Sequence, residues 1–381
     1  MTKETMQTTR VLFVITTLDM GGAEKHLLWL TAGYRAREID VDVVYLKGEG
    51  RLRPDFESVG ARVSKIEFER TTQAFSTWFA LASHIRRGAY DVVHTHLLKA
   101  DALGALACML ARPPVHVQSK HNEEQVLRRA LVATVHGILV RRAARIVALS
   151  DHVLRYVVDV GKAPEERVDR IYYGIDPTPF EGGDRESTRA ALGLGASTHV
   201  GLCVARFHPQ KDHSTLFRAV GRLKEHGHDV HLLLAGGDPF YNHRATAEAE
   251  VRERGLDDVI SFLGIREDVP DLLAASDVFV LPSLYEGLGL VYLEAMAASR
   301  PVLATRSSAI PEVVVEGETG HLVEIGDDAA LAESWGRLAA DPERSRRFGV
   351  AGRRRVEAVF GLDRMIDETL AVYRKCADRA H

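Results

Sequence analysis

Two carboxylates, Glu286 and Glu294, stand eight positions apart at the two ends of a glycine-containing stretch, residues 286–294. A carboxylate can accept hydrogen bonds from two hydroxyl groups, such as those of a ribose or another sugar diol. The two glycines between them allow a tight backbone turn close to a ligand. The residue types therefore fit a hydroxyl-rich ligand, although Glu286 as a helix cap and Glu294 as a solvated helical acid would give the same pattern.

The elements around these carboxylates predict a second feature of the ligand. An apolar run at residues 277–281 predicts a strand, Pro282 ends it, and a helical pattern begins at about residue 290. The free N–H groups and the positive dipole end of a helix that follows a strand suit a phosphate. A phosphate site beside hydroxyl-binding carboxylates points to a nucleotide sugar.

This stretch, Glu-Gly-Leu-Gly-Leu followed by three residues and Glu, resembles the Glu-x7-Glu motif of retaining glycosyltransferases of family 4. That family has two Rossmann-like domains, the GT-B fold, and usually has Phe where this chain has Leu288. The resemblance implies that Glu294 binds the ribose hydroxyls and that Glu286 faces the transferred sugar. It also implies that the backbone of the turn contacts the donor diphosphate, at Gly287, Leu288, Gly289 and Leu290.

Two cations, Arg206 and Lys211, lie five positions apart in a predicted strand-to-helix loop. From the residues alone they are either surface charges or ligands of a diphosphate, which arginine binds through a fork and lysine as a point charge. The resemblance implies that both bind the donor diphosphate. Asp212 follows where the family has glycine, which leaves the shape of this loop open.

Three glycines are further candidates for donor binding. Gly21 and Gly22 join the first predicted strand to a helix, and Gly264 ends a strand in the second half of the chain. A Gly-Gly turn by itself often only makes a tight connection. The resemblance implies that Gly21 and Gly22 face the donor phosphates and the acceptor, and that the strand ending at Gly264 lies against the base.

His121 directly follows a short predicted strand, where parallel sheets commonly bind ligands. It is either a surface histidine or a ligand contact, and the resemblance implies contact with the transferred sugar near the reaction centre. A later segment, ending at Asp176, resembles the family pattern Asn-Gly-Ile-Asp but carries Tyr173 in place of Asn.

Two short motifs could suggest a metal. Asp40 and Asp42 form an Asp-x-Asp pair at the start of a strand, and His94 and His96 share one face of another. We interpret the acids as solvated residues at a strand edge, and the histidines lack a third ligand nearby. We therefore expect neither an essential metal nor a cofactor, and the nucleotide sugar is a co-substrate.

Composition sets the class of protein. The chain has 381 residues, long enough for two domains, with 46% hydrophobic and 27% charged residues. A net charge of −4 gives no general attraction to nucleic acid, and three scattered cysteines fit a reducing compartment. The polar N-terminal ten residues lack the apolar core of a signal peptide, and no apolar run reaches the about 18 residues of a membrane span. We expect a cytoplasmic protein.

Strands and helices alternate along the chain, which predicts an α/β fold of two doubly wound Rossmann-like domains facing across a cleft. Apolar runs predict strands at 11–16, 41–46, 62–68, 91–96, 115–119 and 145–149, then at 199–204, 230–234, 259–263, 277–281, 301–305 and 320–324. We expect an acceptor-binding domain at 1–178, with a C-terminal helix at about 362–381 packing back on it. A nucleotide-sugar-binding domain is expected at 179–361.

One predicted helix, residues 124–144, is both apolar and rich in arginine. Such a helix either buries one face and solvates the other or lies on an anionic lipid surface. Contact with the inner face of a membrane therefore stays open as an alternative to a purely aqueous location.

The resulting hypothesis is a retaining, metal-independent transfer of a hexosyl or N-acetylhexosaminyl group. The donor is a nucleotide-diphosphate sugar, with UDP preferred and GDP next, and the acceptor is a hydroxyl of a glycan, a lipid-linked sugar or a small molecule. A non-catalytic nucleotide-sugar-binding protein and a sugar-nucleotide epimerase of related fold are the alternatives. A phosphorylase would need a lysine site for pyridoxal phosphate, which the sequence does not show.

Overall fold

Strands and helices alternate through the whole described chain, which in this computed structural model comprises residues 10–19, 21–238 and 242–377. The chain forms two units, one from residues 1–174 together with 362–381 and the other from residues 175–361. Residues 1–9 of the polar N-terminal segment and the last four residues of the predicted final helix lie outside the described residues. Each unit is a Rossmann-like α/β domain.

The first unit is built on a parallel sheet that has seven strands within the described residues, in the order β3-β2-β1-β4-β5-β6-β7. The strands are β1 Arg10–Thr17, β2 Asp40–Lys47, β3 Arg62–Lys65, β4 Val92–His96, β5 Val115–Lys120, β6 Arg145–Ala148 and β7 Val168–Arg170. The mostly apolar, β-branched sequences of β1 and β2 suit a sheet that is covered on both faces.

Helices cover both faces of this sheet: α1 Gly22–Arg35, α2 Arg53–Ser58, α3 Ala74–Gly88, α4 Leu98–Ala111, α5 Ala130–Val140 and α6 Asp151–Asp159. Alternate residues of β1 enter different cores, as the period of a strand requires. Phe13 packs in the core that contains Leu27 and Leu30 of α1, whereas Val14 packs with Leu81 of α3.

The second unit contains a parallel sheet with six described strands, in the order β10-β9-β8-β11-β12-β13. They are β8 His199–Val204, β9 Val230–Ala235, β10 Ile260–Gly264, β11 Val278–Leu281, β12 Val302–Thr305 and β13 Gly320–Val323. The helices are α7 Arg185–Ala191, α8 His213–Glu225, α9 His243–Glu253, α10 Val269–Ala275, α11 Leu290–Ala297, α12 Ile310–Val313, α13 Asp328–Ala340 and α14 Pro342–Val359.

The last helix, α15 Leu362–Ala377, belongs to the first unit although it follows the second in sequence. Its residues Met365, Ile366, Val372 and Tyr373 are buried in the core shared with α1. Tyr373 packs edge-on against Tyr34 of α1 at 6.1 Å between ring centroids. This helix therefore completes one face of the first sheet.

The strand order fixes where each sheet can bind a ligand. Order reverses between β1 and β4 in the first sheet and between β8 and β11 in the second. At such a reversal the connections leave on opposite faces of the sheet, which opens a crevice beyond the carboxyl ends of the two strands. The loops that follow these four strands contain most of the residues singled out from the sequence.

The single helix expected at 124–144 is wrong in its length and continuity. The structure has a short 3-10 helix at Gln125–Arg128, an extended Arg129, and then α5 over Ala130–Val140. Arg141 forms the C-terminal end of α5, and β6 begins at Arg145. Among the described residues, none of the helices combines the length and apolarity needed to cross a bilayer.

Candidate functional site

The crevice of the second unit lies beyond β8 and β11. After β8 come Arg206, which is exposed, and a 3-10 turn at Pro209–Lys211. After β11 comes the Glu-x7-Glu stretch. The two loops are tied together by their backbones, because Leu284 N–H donates to the Gln210 carbonyl at 2.8 Å and the Gln210 amide donates to the Tyr285 carbonyl at 2.7 Å.

The central contact of this crevice is an ion pair between Lys211 and Glu286. Lys211 Nζ lies 2.5 Å from Glu286 Oε1, and the two side chains are 12% and 9% exposed. Ser283 Oγ donates to the same carboxylate oxygen at 2.7 Å. The sequence predicted both charged residues for this site but not that they contact each other, and it gave no role to Ser283.

The turn between the two carboxylates has the geometry expected of a phosphate-binding helix start. Gly289 has φ +84°, and a Cβ atom there would lie 2.4 Å from the Tyr292 ring, so only glycine fits. Gly289 offers no side-chain cap to α11, which begins at Leu290. The backbone N–H groups at this helix start can therefore bind an anion.

Glu294 lies in α11 and is 2% exposed. A carboxylate this buried loses the water that would stabilise its charge, so a polar partner must take the place of that water. The alternative of a solvated helical acid is therefore wrong. Whether the partner is a ribose remains a prediction.

Asp212, which replaces the usual glycine, performs two structural tasks. Its backbone is left-handed, with φ +47° and ψ +50°, a conformation that aspartate tolerates better than most residues. Its carboxylate caps α8 by accepting from Thr215 N at 3.4 Å and from Thr215 Oγ1 at 2.6 Å. The loop that carries Lys211 thus keeps a glycine-like shape without a glycine.

Gly264 lies in the adjoining part of the same unit. Its carbonyl accepts from Gly236 N at 2.7 Å, and Phe207 N, one residue after Arg206, donates to the Gly237 carbonyl at 2.9 Å. The loops after β8, β9 and β10 are therefore joined, and Gly264 lies beside the loop of Arg206 and Lys211.

The crevice of the first unit contains a chain of three side chains. His121, just past β5, contacts His96 through Nε2 at 3.0 Å and the Tyr173 hydroxyl through Nδ1 at 2.6 Å. Burial, with smaller contributions from neighbouring histidines, holds the pKa of His96 and of His121 well below the ordinary histidine value. These imidazoles are therefore neutral at pH 7.

His94 belongs to a separate pair of contacts below this chain. Its Nδ1 lies 2.7 Å from the Tyr373 hydroxyl of α15 and its Nε2 lies 2.8 Å from Ser119 Oγ. Both ring nitrogens are thus engaged by protein groups. Within the described residues, no group of three or more His, Cys, Asp or Glu side chains could hold a metal ion.

Gly21 and Gly22 precede and begin α1, and a buried acid lies against them. Glu24 accepts from Thr17 Oγ1 at 2.7 Å, and a Cβ atom on Gly21 would lie 2.4 Å from Glu24 Oε2. Sequence reasoning missed Glu24, although an acid in the first turn after a glycine pair was a visible signal. A carboxylate here suits a hydroxyl donor better than a phosphate.

A buried ion pair lies next to His121. Lys120 Nζ contacts Asp101 Oδ2 at 2.6 Å, and Asp101 also accepts from Thr95 Oγ1 at 2.6 Å. Burial raises the pKa of Asp101 although Lys120 opposes this shift. This pair joins α4 to the carboxyl ends of β4 and β5, and it was also missed.

The interpretation of Asp42 as a solvated edge acid is wrong. Asp42 is buried on β2, an interior strand, and its carboxylate contacts Arg62 at 2.6 Å, Arg10 at 3.4 Å and the Tyr90 hydroxyl at 2.6 Å. Asp40 is exposed and pairs with Arg35. Asp42 therefore neutralises two arginines of neighbouring strands.

Comparison with known proteins gives matches along most of the chain. The family model described as Glycosyltransferase Family 4 matches residues 20–178, and the one described as Glycosyl transferases group 1 matches residues 198–341. The alpha-maltose-1-phosphate synthase of Mycolicibacterium smegmatis is 34% identical over 311 residues, 75% of this chain and 79% of its own. A D-inositol 3-phosphate glycosyltransferase of Mycolicibacterium vanbaalenii is 32% identical over 317 residues, 76% and 68% of the two chains.

Solved structures agree on the fold. The Anabaena HepE protein in complex with UDP-glucose superposes with a TM-score of 0.84 at 24% identity, covering 95% of this chain and 99% of its own. The sucrose-phosphate synthase of Thermosynechococcus elongatus gives 0.82 at 24% identity, covering 97% and 100%. Two Rossmann-like domains with these matches define a glycosyltransferase of the GT-B class. The chain belongs to glycosyltransferase family 4.

Proposed function

We propose that this enzyme transfers a hexosyl or N-acetylhexosaminyl group, with retention of anomeric configuration and without a metal, from a nucleotide-diphosphate sugar. The observation that supports this most is the joined loop pair of the second unit, in which one loop carries Arg206 and Lys211 and the other leads from Glu286 to the start of α11, where no side chain caps the helix. UDP is the first candidate for the nucleotide and GDP the second. HepE, with the same fold, has been crystallised with UDP-glucose.

Stabilising the departing diphosphate is the main electrostatic task of the reaction. Positive groups and N–H donors placed before the reaction act on the charge that develops on the phosphate oxygens. Arg206 and Lys211 supply full charges, the start of α11 supplies N–H donors, and Glu294 receives the ribose hydroxyls. In this arrangement the protein's own cations do the work that a metal ion does in other enzymes.

Glu286 is a positioning carboxylate in this proposal and not a nucleophile. Its Oε1 already accepts from Lys211 and Ser283, which lowers the electron density available for attack. The acceptor oxygen instead bonds to the anomeric carbon on the face that the diphosphate leaves, and a phosphate oxygen takes the acceptor proton. Retention follows from this same-face substitution.

The first unit is proposed to bind the acceptor near Gly21, Gly22 and His121. The buried carboxylate of Glu24, in the first turn of α1, favours an acceptor with a hydroxyl donor. One relative is named for maltose 1-phosphate and another for inositol 3-phosphate. Small phosphorylated alcohols and sugars therefore join glycans and lipid-linked sugars as acceptors to test.

The decisive experiment incubates the purified enzyme with a panel of sugar nucleotides and follows release of the nucleoside diphosphate by mass spectrometry. We expect slow hydrolysis of one donor and a large acceleration when a suitable acceptor is added. Lys211→Met removes the charge but keeps an unbranched side chain, and its rate of donor turnover should be about a hundredfold lower than that of the wild type. A panel in which no donor binds or reacts would contradict the proposal, and binding without turnover under all acceptors would favour a binding protein.

Two further measurements test the finer parts of the proposal. The coupling constant of the new anomeric proton, read by NMR, should match that of the donor if configuration is retained. Dialysis against EDTA should leave the rate unchanged, and restoration of a lost rate by Mg²⁺ or Mn²⁺ would contradict metal independence.

We also propose that α5 of the first unit contacts an anionic lipid surface. Leu131, Val135 and Ile138, spaced four and three residues apart on one helix face, are 77%, 49% and 56% exposed. The sequence from 125 to 144 contains four arginines, all of them exposed, and no acidic residue. An exposed apolar stripe with arginines at both ends matches the chemistry of an anionic bilayer.

Vesicle sedimentation tests this surface. The enzyme should sediment with vesicles containing phosphatidylglycerol, bind weakly to vesicles of phosphatidylcholine alone, and lose binding in Leu131→Ser/Ile138→Ser. Phe75→Ser is the control, because it removes an exposed aromatic side chain on another helix, α3. Equal binding by the stripe variant would contradict the proposal, as would concentration-dependent self-association through the stripe without lipid binding.

A further inference from the structure

His121 is held at both ring nitrogens by protein groups, Tyr173 at Nδ1 and His96 at Nε2. A neutral imidazole carries one N–H and one lone pair, so each nitrogen has a fixed role once its neighbour is set. His96 Nε2, at the far end, has no hydrogen-bond partner among the described residues. The hydrogen bonds from Tyr173 through His121 to His96 can therefore run in either of two donor-to-acceptor directions. The hydroxyl group of Tyr173 determines which of the two is adopted.

Tyr173 carries its proton at neutral pH. Burial raises the pKa of its hydroxyl well above the ordinary tyrosine value, and Glu24 adds to the shift. A phenol that donates to His121 Nδ1 leaves the histidine proton on Nε2, where it donates to His96 Nδ1. The opposite order would make the phenol an acceptor and leave its own proton to another partner.

The ring of Tyr173 is fixed as firmly as its hydroxyl. It stacks on His26 of α1 with 4.4 Å between ring centroids and an interplanar angle of 28°. Because α1 begins at the Gly21–Gly22 turn, the same tyrosine contacts the helix that presents the glycine pair and the histidine that follows β5. The amide of an asparagine, present in the resembled pattern, has no ring for this stacking.

We propose that Tyr173 is a positioning residue that fixes the ring orientation and the tautomer of His121 for glycosyl transfer. The proposal rests on the proposed function, because it assigns Tyr173 to the site where the sugar is transferred. An imidazole held at both ring nitrogens keeps one ring orientation and one position of its proton, so the face that it presents to the transferred sugar is fixed before the transition state is reached.

Tyr173→Phe tests this most directly, because it keeps the stacked ring and removes only the hydroxyl. We expect kcat to fall about tenfold, the equivalent of one hydrogen bond, while KM for the donor stays within about twofold. Tyr172→Phe is the matched control, since the neighbouring tyrosine directs its hydroxyl to Asp151 at 3.5 Å and lies outside the chain. It should keep the wild-type kcat.

A double-mutant cycle separates positioning from a general structural effect. In a His121→Ala background, Tyr173→Phe should cost nothing further, because the group through which it acts is gone. The same tenfold loss in both backgrounds would overturn the proposal, as would a wild-type kcat in Tyr173→Phe.

The tautomer itself can be read without turnover. In protein with 15N-labelled histidine, the resonances of His121, assigned through His121→Ala, should show a protonated Nε2 in the wild type and a changed pattern in Tyr173→Phe. An unchanged pattern would overturn the proposal. If no donor were turned over but the pattern changed, positioning of His121 by Tyr173 would be supported and only the proposed function would fail.

Discussion

Glu286 is the residue at which the proposed chemistry is most sensitive to a single atom. Glu286→Gln keeps the shape of the side chain but removes the charge that pairs with Lys211. We expect kcat to fall about a hundredfold, since the orientation of Lys211 and the field at the sugar both change, while nucleotide affinity changes less than about threefold. Parallel measurement of kcat and of the nucleotide Kd by calorimetry checks this.

Ser283→Ala is a milder companion, because it removes one hydrogen bond to the same oxygen and leaves the charge. Its kcat should lie between those of the wild type and Glu286→Gln. A loss of affinity in step with the rate, in either variant, would instead make Glu286 a donor-binding residue.

Glu294 should report on the ribose. Glu294→Ala is expected to weaken nucleoside diphosphate binding by about tenfold or more, because hydrogen bonds to a charged carboxylate are lost. The difference in affinity between the wild type and the variant should be smaller for the 2′-deoxy nucleotide than for the nucleotide with its 2′-hydroxyl. If the variant discriminates against the deoxy nucleotide as strongly as the wild type does, the carboxylate does not contact that hydroxyl.

At this scale the sequence predicted residue types and places but not contacts. Glu286, Lys211 and His121 could be singled out because each follows a strand, and carboxyl ends of parallel strands meet at one edge. The Lys211–Glu286 pair, the Ser283 contact and the Glu24 carboxylate depend on side-chain directions in loops, which no periodicity encodes. Asp42 was wrongly predicted to be solvated, although its burial follows from the position of β2 inside the sheet.

Among the elements, the loop before α8 gives a clear test of Asp212. Asp212→Ala removes the helix cap and places a side chain without polar atoms in a left-handed conformation, so we expect a loss of about 2 kcal/mol in the free energy of unfolding. Asp212→Gly should lose only a few tenths, because glycine accepts that conformation and serves as a fair cap. Urea denaturation of both variants provides the comparison, and equal losses would contradict this account.

Buried histidines make the first sheet and its helices sensitive to acid. Burial lowers the pKa of His26 to about 3, of His116 to about 3 and of His136 to about 4, whereas each would titrate near 6.5 when unfolded. Below pH 6.5 the unfolded chain therefore binds more protons, and stability falls as pH falls toward 4. Each histidine contributes a slope of about 1 kcal/mol per pH unit, which urea denaturation between pH 7.5 and pH 5 would measure.

His116→Leu is the matched variant for this prediction. Both ring nitrogens of His116 are buried without a hydrogen-bond partner among the described residues, so an apolar side chain should stabilise the protein at pH 7. It should also reduce the dependence of the unfolding free energy on pH by the contribution of one histidine. A slope unchanged by the substitution would show that His116 does not titrate on unfolding.

The elements themselves were the most predictable part of the fold. All twelve predicted strands are present, because continuous β-branched runs bounded by turns leave few alternatives. The three-residue strand β7 was missed, since Val168–Arg170 is short and mostly charged. The helix predicted at 124–144 was too long because apolar spacing continues through Arg129, where the backbone is extended.

At the scale of the whole molecule, removal of α15 should destabilise the first unit and leave the stability of the second unit unchanged. Deleting residues 362–381 uncovers the α1 face of the first sheet and removes the Tyr373 bond to His94. We expect the first unit to lose hydrogen-exchange protection while residues 175–361 keep theirs. Exchange monitored by mass spectrometry assigns the loss to one unit or to both.

A pair of point variants refines the deletion. Ile366→Ala, at a buried side chain against Gly33, should cost about 2 to 4 kcal/mol. Arg364→Ala, on an exposed position of the same helix, should change stability by less than about 0.5 kcal/mol. Equal effects of the two would mean that α15 does not stabilise the first unit through its buried face.

The return of the chain to its first unit also determines the order in which the enzyme can mature on a ribosome. Translation releases the strands of the first sheet early, but the helix that covers Tyr34 and His94 emerges only after residues 175–361 have been made. The second unit is one uninterrupted segment and can close as soon as it is synthesised, whereas the earlier-made half must wait with an apolar face uncovered. The half begun first is thus finished last, so a nascent chain gains its proposed donor-binding half before its proposed acceptor-binding half is complete.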